Sequence, residues 1–427
     1  VVALVATALA TGGSAQKVVG SGKASATKSV CGLGTGKKAS GRAIKLGGIF
    51  TLVPGVDFTT IGKIADAYFK CVNDNGGING RPISFRIYTE QLKPEQNAAL
   101  AKKLAESDKV VGVTGTSLIE CEINAKYWQQ QGYFNIIAGV PGACFGTPNY
   151  AAVNMGPRYS TIGAAQALVR AGAKSIVVSS TDVIAEYANG GPLLVAKAAG
   201  IPGISDAQAV PITDPNGVIT KLVQQAKQAA GGGKGGVILD YTPETALPLM
   251  KAAEQQGLVD DVLWGSSTPI ANEFSASQAG PAWTRDNLCC INSEFGLLTD
   301  TGPDMTLYRQ ITKKYQPSVP VQSFGQMGFL VGKFMTAALL SVSGPVTKES
   351  YNAAVQNLKN QKSDILCKPW YWGKGLQAHI PNNTDISVSF ANGKVVKTEE
   401  CFPIAAVDAD LRKTRVAEKR FKLNTGT

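Results

Sequence analysis

The chain has 427 residues, 44% of them apolar and 17% charged, enough for two or three domains and unlike a coiled coil or a disordered chain. Its formal charge of +11 points first to nucleic acid, but the placement argues otherwise. Residues 1–43 hold six Lys/Arg and no acid, residues 409–427 hold six against two acids, and the body between them is nearly balanced. With no basic cluster interleaved with aromatics in that body, no nucleic-acid partner is expected.

The N-terminus reads VVALVATALATGGSAQK, a short apolar run ending in small residues. Residues 1–15 match the remnant of a secretory signal. The run is too short to cross a bilayer. Residues 16–43 are rich in Gly, Ser, Lys and Ala and read as a flexible linker. Eight cysteines fit an exported chain with disulfides. The basic segment 409–427 reads as a tail, either plainly solubilising or touching an acidic or membrane surface.

From Ile44 strand-like and helix-like stretches alternate. IKLGGIF (44–50) reads as a strand, and apolar residues at three- and four-residue steps predict a helix over 58–74. NDNGGINGRP (73–82) then concentrates turn chemistry, so a helix stop, a turn and a strand start are expected there. ISFRIYTE (83–90) alternates as a strand does, and a helix follows over about 94–107. Strands at 110–116 and 134–139 flank a helix near 120–131. After the short strand AAVNMG come a helix over about 160–171, then strands at 175–180, 205–211, 236–241 and 262–267. Helices near 186–199, 216–230 and 244–256 separate them. Apolar runs spaced by helices indicate parallel strands covered on both faces.

The rhythm breaks near 153–160 and again near 288–298, where the chain passes an apolar strand and restarts. Helical patterns fill 303–360, including the buried helix of Phe329–Val342. DISVSF and KVVKTEE around Asn392-Gly393 form a β-hairpin signal. The expectation is an α/β protein of two lobes joined by several crossings, with a β-rich C-terminal section.

Chemistry-bearing motifs are scarce. The one histidine, His379, precedes Pro381 and Asn382 in a polar stretch and makes a poor triad base. No CxxC pair exists, and neither CGLGTGKK (31–38) nor GGGKGG (231–236) is a phosphate loop. No catalysis, metal or cofactor is expected.

In an open parallel sheet a ligand sits beyond the C-terminal ends of the strands. The loops so placed are 50–58, 115–122, 138–145, 179–187, 240–244 and 265–273. Thr116 and Ser117 offer hydroxyls and backbone donors at a helix start, with Glu120 as a helix-capping acid. Tyr187 and Tyr241 offer flat walls with one hydroxyl each. Ser266, Ser267 and Thr268 repeat the hydroxyl theme, and Trp264, inside a strand, reads as core. Cys121 and Cys144 follow two neighbouring strands and are expected to pair. Cys367 and Cys401 bracket the C-terminal β section and are expected to staple it. Pairing of Cys31, Cys71, Cys289 and Cys290 stays open.

Together IKLGGIF, the helix, NDNGGINGRPISF, the Pro94-Glu95 helix start and VVGVTGTS resemble the type I periplasmic binding proteins over about 44–400. Their NGGINGRPI element resembles the leucine/isoleucine/valine-binding branch of ABC-transporter receptors. That resemblance implies two Rossmann-like lobes with parallel sheets joined by three crossings, a Venus-flytrap. The expected lobes are 44–155 with 292–362, and 156–291 with 363–408. It implies a ligand held by Phe58, Ser117, Gly139, Val140, Tyr187 and Tyr241, to which the strand-end reading adds Thr116 and Ser267. It further implies an exported monomer, periplasmic or extracellular and associated with the cell surface, that takes a small solute to an ABC permease. A sensory module reporting to a membrane receptor is the alternative. Amino-acid binders of this branch hold the ligand ammonium with an acid on the second lobe. The matching loop here, Ser266–Ile270, has none, and another familiar acidic position falls at Arg158–Ser160. Hydrophobic amino acids and amide-like or aromatic solutes therefore both stay open.

Overall fold

The computed structural model describes residues 30–284 and 291–423. The expected signal remnant and the pairing of Cys289 and Cys290 lie outside the described residues.

Strand β1 (Ile44–Val53) turns back through β2 (Val56–Asp57) into helix α1 (Thr59–Asp74). One face of α1, with Ile61, Ile64, Ala65, Tyr68 and Val72, is buried, as the spacing predicts. The NDNGGINGRP turn ends it. Gly77 takes φ +58°, and a Cβ there would stand 2.3 Å from the Arg81 carbonyl oxygen, so the turn requires glycine. Asn73 closes the turn by bonding both backbone groups of Ile83, at 2.6 and 2.8 Å.

The chain continues through β3 (Ile83–Glu90), α2 (Pro94–Lys102), β4 (Gly112–Thr116), α3 (Glu120–Gln130), β5 (Asn135–Ile137), α4 (Ala143–Gly146) and β6 (Tyr150–Ala152). Parallel β3 and β4 flank β1, and β6 pairs parallel with β5. The Ala138 N–H bonds the Gly115 carbonyl at 3.3 Å and carries the layer from β4 to β5.

A second lobe begins with α5 (Gly156–Arg170), β7 (Ile176–Thr181), α6 (Asp182–Ala199), β8 (Gly203–Gln208) and α7 (Pro215–Ala229). It goes on through β9 (Gly236–Asp240), α8 (Pro243–Gln255), β10 (Leu263–Ser266), α9 (Glu273–Gln278) and β11 (Ile291–Ser293). The chain then returns to the first lobe as α10 (Pro303–Tyr315), α11 (Ser323–Leu340) and α12 (Lys348–Gln356). A Cβ on Gly328 would stand 2.3 Å from the Ile61 carbonyl oxygen, so this glycine lets α11 lie close on α1. Finally β12 (Thr384–Ala391) and β13 (Lys394–Pro403) rejoin the second sheet, and α13 (Ala409–Phe421) follows. That sheet runs β13-β12-β11-β10-β9-β7-β8, parallel from β8 to β11 and antiparallel at its β12–β13 edge. The architecture is the two-lobed α/β Venus-flytrap.

The three crossings meet at Asn382. Its side-chain amide donates to the carbonyls of Val153 at 3.3 Å and Glu294 at 3.4 Å, one on each of the other two crossings.

Three expectations need correction. Within the linker segment 16–43, residues 30–42 wrap the Asn/Gly turn. Cys31 is bonded to Cys71, Ala39 N–H donates to Asn73 O at 2.7 Å and Gly41 N–H to Gly80 O at 2.9 Å. The carbonyls of a tight turn need donors, and this segment supplies them. The basic tail 409–427 contains α13, capped by the Asp408 carboxylate and held by the Lys368–Glu418 ion pair at 3.0 Å. Ile365, Leu366, Trp370 and Trp372, expected in the second lobe, pack on the first, with Trp370 stacked on Phe334 at 4.9 Å. The apolar tryptophans decide this, because the α11 face offers them burial. Disulfides join Cys121 to Cys144 and Cys367 to Cys401.

Candidate functional site

The C-terminal strand ends of both lobes face each other across a cavity of about 80 Å³. The first lobe lines it from the β1–β2 turn, the end of β4, Val140 and the start of α11. The second lobe lines it from the ends of β7, β9 and β10. The lobes meet over it, since Thr242 and Thr245 at the start of α8 both donate to the Gly55 carbonyl, at 2.7 and 3.1 Å.

Five of the eight residues expected at the ligand line this cavity: Phe58, Thr116, Val140, Tyr241 and Ser267. Phe58 stands edge-on to Phe324 at 5.5 Å. The Tyr241 hydroxyl is 2.6 Å from Ser179 Oγ, which fixes the ring as a wall. Ser267 donates to Asp240 Oδ1 at 2.7 Å. Thr116 Oγ1 is buried with no hydrogen-bond partner among the described residues.

Three others are placed differently. The Ser117 hydroxyl donates to Glu90 at 2.8 Å and accepts from the N–H groups of Ile119 and Glu120 at 3.1 and 3.0 Å. It therefore caps α3, the role expected of Glu120. Glu120 instead turns inward and accepts from Trp128 and Tyr150. Burial pushes its carboxyl up to about 7, against the lowering effect of those donors. Both backbone polar groups of Gly139 are bonded by the Asn154 side chain, at 2.7 and 2.9 Å. Tyr187 reaches across to the first lobe, stacking on Phe145 at 6.5 Å beneath the Arg158 guanidinium. It thus closes the rim beside the cavity rather than lining it. Trp264 is core, edge-on to Trp283 at 5.0 Å.

Two cavity-lining acids escaped the sequence reading, Asp240 and Glu294. Asp240 ends strand β9, one residue before Tyr241, and the strand-end rule that selected Tyr241 pointed at it too. Its Oδ2 is buried without a partner. Burial pushes the carboxyl up to about 6, partly offset by the Ser267 hydrogen bond. Glu294 sits on the second crossing, where no local pattern marks it. Burial pushes it up to about 8, opposed by the Met155 N–H and the Thr268 side chain. Thr181, at the end of β7, also lines the cavity with an unpartnered hydroxyl. The lining residues include no Lys, Arg or His. Among the described residues no cluster of His, Cys, Asp and Glu is arranged to hold a metal.

The profile of the family described as "Periplasmic binding protein" matches residues 44–383. Comparison with curated protein sequences gives no match. Solved structures are similar at low identity. A branched chain amino acid ABC transporter protein from Thermus thermophilus with bound valine has 14% identity, covers 88% of this chain and 99% of its own, and gives a TM-score of 0.73. The fatty acid ABC transporter substrate-binding protein from Thermomonospora curvata has 17% identity, with 87% and 95% covered and a TM-score of 0.72. An R. palustris solute-binding protein in complex with benzoate has 17% identity, with 86% and 98% covered and a TM-score of 0.68. At these identities the likeness is one of fold. The profile match spans most of the chain and the fold agrees with it, so the chain belongs to the periplasmic binding protein family of type I, which binds solutes rather than transforming them.

Proposed function

We propose that the protein is an extracytoplasmic solute receptor of an ABC importer that captures a small, largely apolar molecule by lobe closure. The observation that carries this is the cavity itself, because residues of both lobes line one space and Thr242 latches one lobe to the other. A ligand favours closure only by contacting both lobes at once. Phe58, Val140, Phe324 and Met327 on one side and Ile184, Val210 and Tyr241 on the other give it apolar walls.

The ligand-contact set is Phe58, Thr116, Val140, Tyr241 and Ser267, joined by Asp240 and Thr181. The NGGINGRPI element favours the leucine/isoleucine/valine-binding branch, and hydrophobic amino acids, amides and aromatic solutes are the candidate classes. In this reading the chain is exported, acts as a monomer at the cell surface or in the periplasm, and hands its solute to a membrane permease. Among the described residues no helix is long and apolar enough to cross a membrane.

The test is a thermal-shift screen over these solute classes and apolar amines, with small-angle scattering on each hit. A receptor gives a raised melting point and a smaller radius of gyration with a selective solute. A screen without any hit, or hits without compaction, overturns the reading.

A further inference from the structure

Resting on the receptor reading, the polar atoms of the cavity narrow the solute class. We propose that the protein selects a small apolar amine, and that Asp240 is the residue that discriminates it from amino acids and carboxylic acids.

A buried polar atom without a partner is costly and is satisfied by whatever the site is built to hold. Asp240 has one oxygen bonded to Ser267 and the other, Oδ2, without a partner. The hydroxyls of Thr116, from the first lobe, and Thr181, from the second, are buried and unpartnered at the same cavity. Each of these oxygens can accept an N–H, and an ammonium is a donor only. One of the three oxygens belongs to a carboxylate, the acceptor that holds a cation best. The remaining walls are apolar, so the body of the solute is apolar.

The same cavity is unsuited to a carboxylate. Its lining carries no cationic side chain and two acids, Asp240 and Glu294. At the start of α3 the Ser117 hydroxyl and the N–H groups of Leu118, Ile119 and Glu120 are already engaged. Ser117 is committed to Glu90 and to two backbone N–H groups, and the Leu118 N–H donates to Thr51 at 3.1 Å. Buried Glu90 stands directly behind, accepting from Ser117 and from the Leu92 N–H at 2.6 Å. An α-carboxylate would share the cavity with Asp240 and find no cationic partner in its lining.

The experiment is calorimetric titration of the full chain with 2-phenylethylamine and 3-methylbutylamine. Phenylalanine, leucine, benzoate and 3-phenylpropanamide are the comparison ligands. The expected result is that an amine binds at least tenfold tighter than the matching amino acid and amide. Asp240→Asn should lose tenfold or more in amine affinity. Its melting point without solute should hold or rise, because the buried charge is gone while an acceptor for Ser267 remains. An amino acid, acid or amide binding as tightly as the amine overturns the assignment, as does unchanged amine affinity in Asp240→Asn. If such a solute also compacts the protein, the receptor reading survives and only the amine assignment falls. If no compound in the panel binds, both fall.

Discussion

Thr242 donates its hydroxyl to the Gly55 carbonyl at 2.7 Å, joining two lobes whose sheets share no strand. Thr245 reaches the same oxygen at 3.1 Å. Because both donors lie at the start of α8 and the acceptor on the β1–β2 turn, these bonds exist only with the lobes together. Thr242→Val with Thr245→Val should weaken solute binding by about 1–3 kcal/mol, the range for two ordinary hydrogen bonds. Scattering without solute should show a larger radius of gyration than wild type. An unchanged radius and affinity would remove the latch.

Asp240 sets a pH dependence for binding an amine. Its carboxyl, raised to about 6 by burial and lowered in part by Ser267, must be ionised to hold a cation. Its hydrogen-bond partner is Ser267, and the neighbouring Tyr241 hydroxyl is bonded to Ser179. Glu294, raised to about 8, is neutral through most of this range. Amine affinity should therefore tighten as pH rises through about 6, by up to about tenfold per unit below that point. Ser267→Ala removes the lowering hydrogen bond and should move the midpoint upward. Affinity flat from pH 5 to 7.5 would contradict this.

Stability without solute should run the other way. Burial raises Glu294 to about 8, Glu120 to about 7 and Asp240 to about 6. The folded chain binds these protons at higher pH than the unfolded chain does, so acidification from pH 8 stabilises it. Buried His379, lowered to about 4 by desolvation, opposes this only below its unfolded value of about 6.5. With three acids against one histidine, the melting temperature should be higher at pH 5.5 than at pH 8. Differential scanning calorimetry in the two buffers decides it.

Tyr241 is held as a wall by Ser179, and its ring faces the cavity. Tyr241→Ala should weaken binding of the best solute by about 1–3 kcal/mol, as for losing an aromatic anchor. Tyr241→Phe, which keeps the ring, should retain most of the affinity. Equal losses in the two variants would shift the role from ring to hydroxyl.

The Cys31–Cys71 disulfide closes 40 residues of chain and pins residues 30–42 to the Asn/Gly turn. Replacing both cysteines by serine should cost about 2–4 kcal/mol of stability, on the loop-closure account. Hydrogen exchange should show Ala39 and Gly41 losing protection while the β1 amides keep theirs. Unchanged exchange there would mean the backbone bonds suffice without the disulfide.

Much of the site was legible because strand ends announce themselves. Phe58, Thr116, Val140, Tyr241 and Ser267 each follow an apolar run, and the sheets bring those ends to one cavity. Ser117 and Gly139 obey the same local rule, yet their polar groups are consumed by Glu90 and Asn154, 27 and 15 residues away in sequence. No local pattern reports such a competitor. Glu294 lies on a crossing, where direction changes and periodicity is lost, so its place in the cavity could not be read. The linker reading of residues 30–42 failed for a related reason. Gly and Ser mark a segment that makes few side-chain contacts, but its backbone still supplied donors to a turn far along the chain.

By itself the sequence determined the alternation of strands and helices, the two breaks where the chain changes lobe, and the Gly/Asn turn that ends α1. These follow from periodicity and backbone sterics, which act over a few residues. Only the tertiary structure decided which polar atoms stay without partners in the cavity. That outcome depends on which side chains, distant along the chain, reach each donor and acceptor first once the lobes have folded and met.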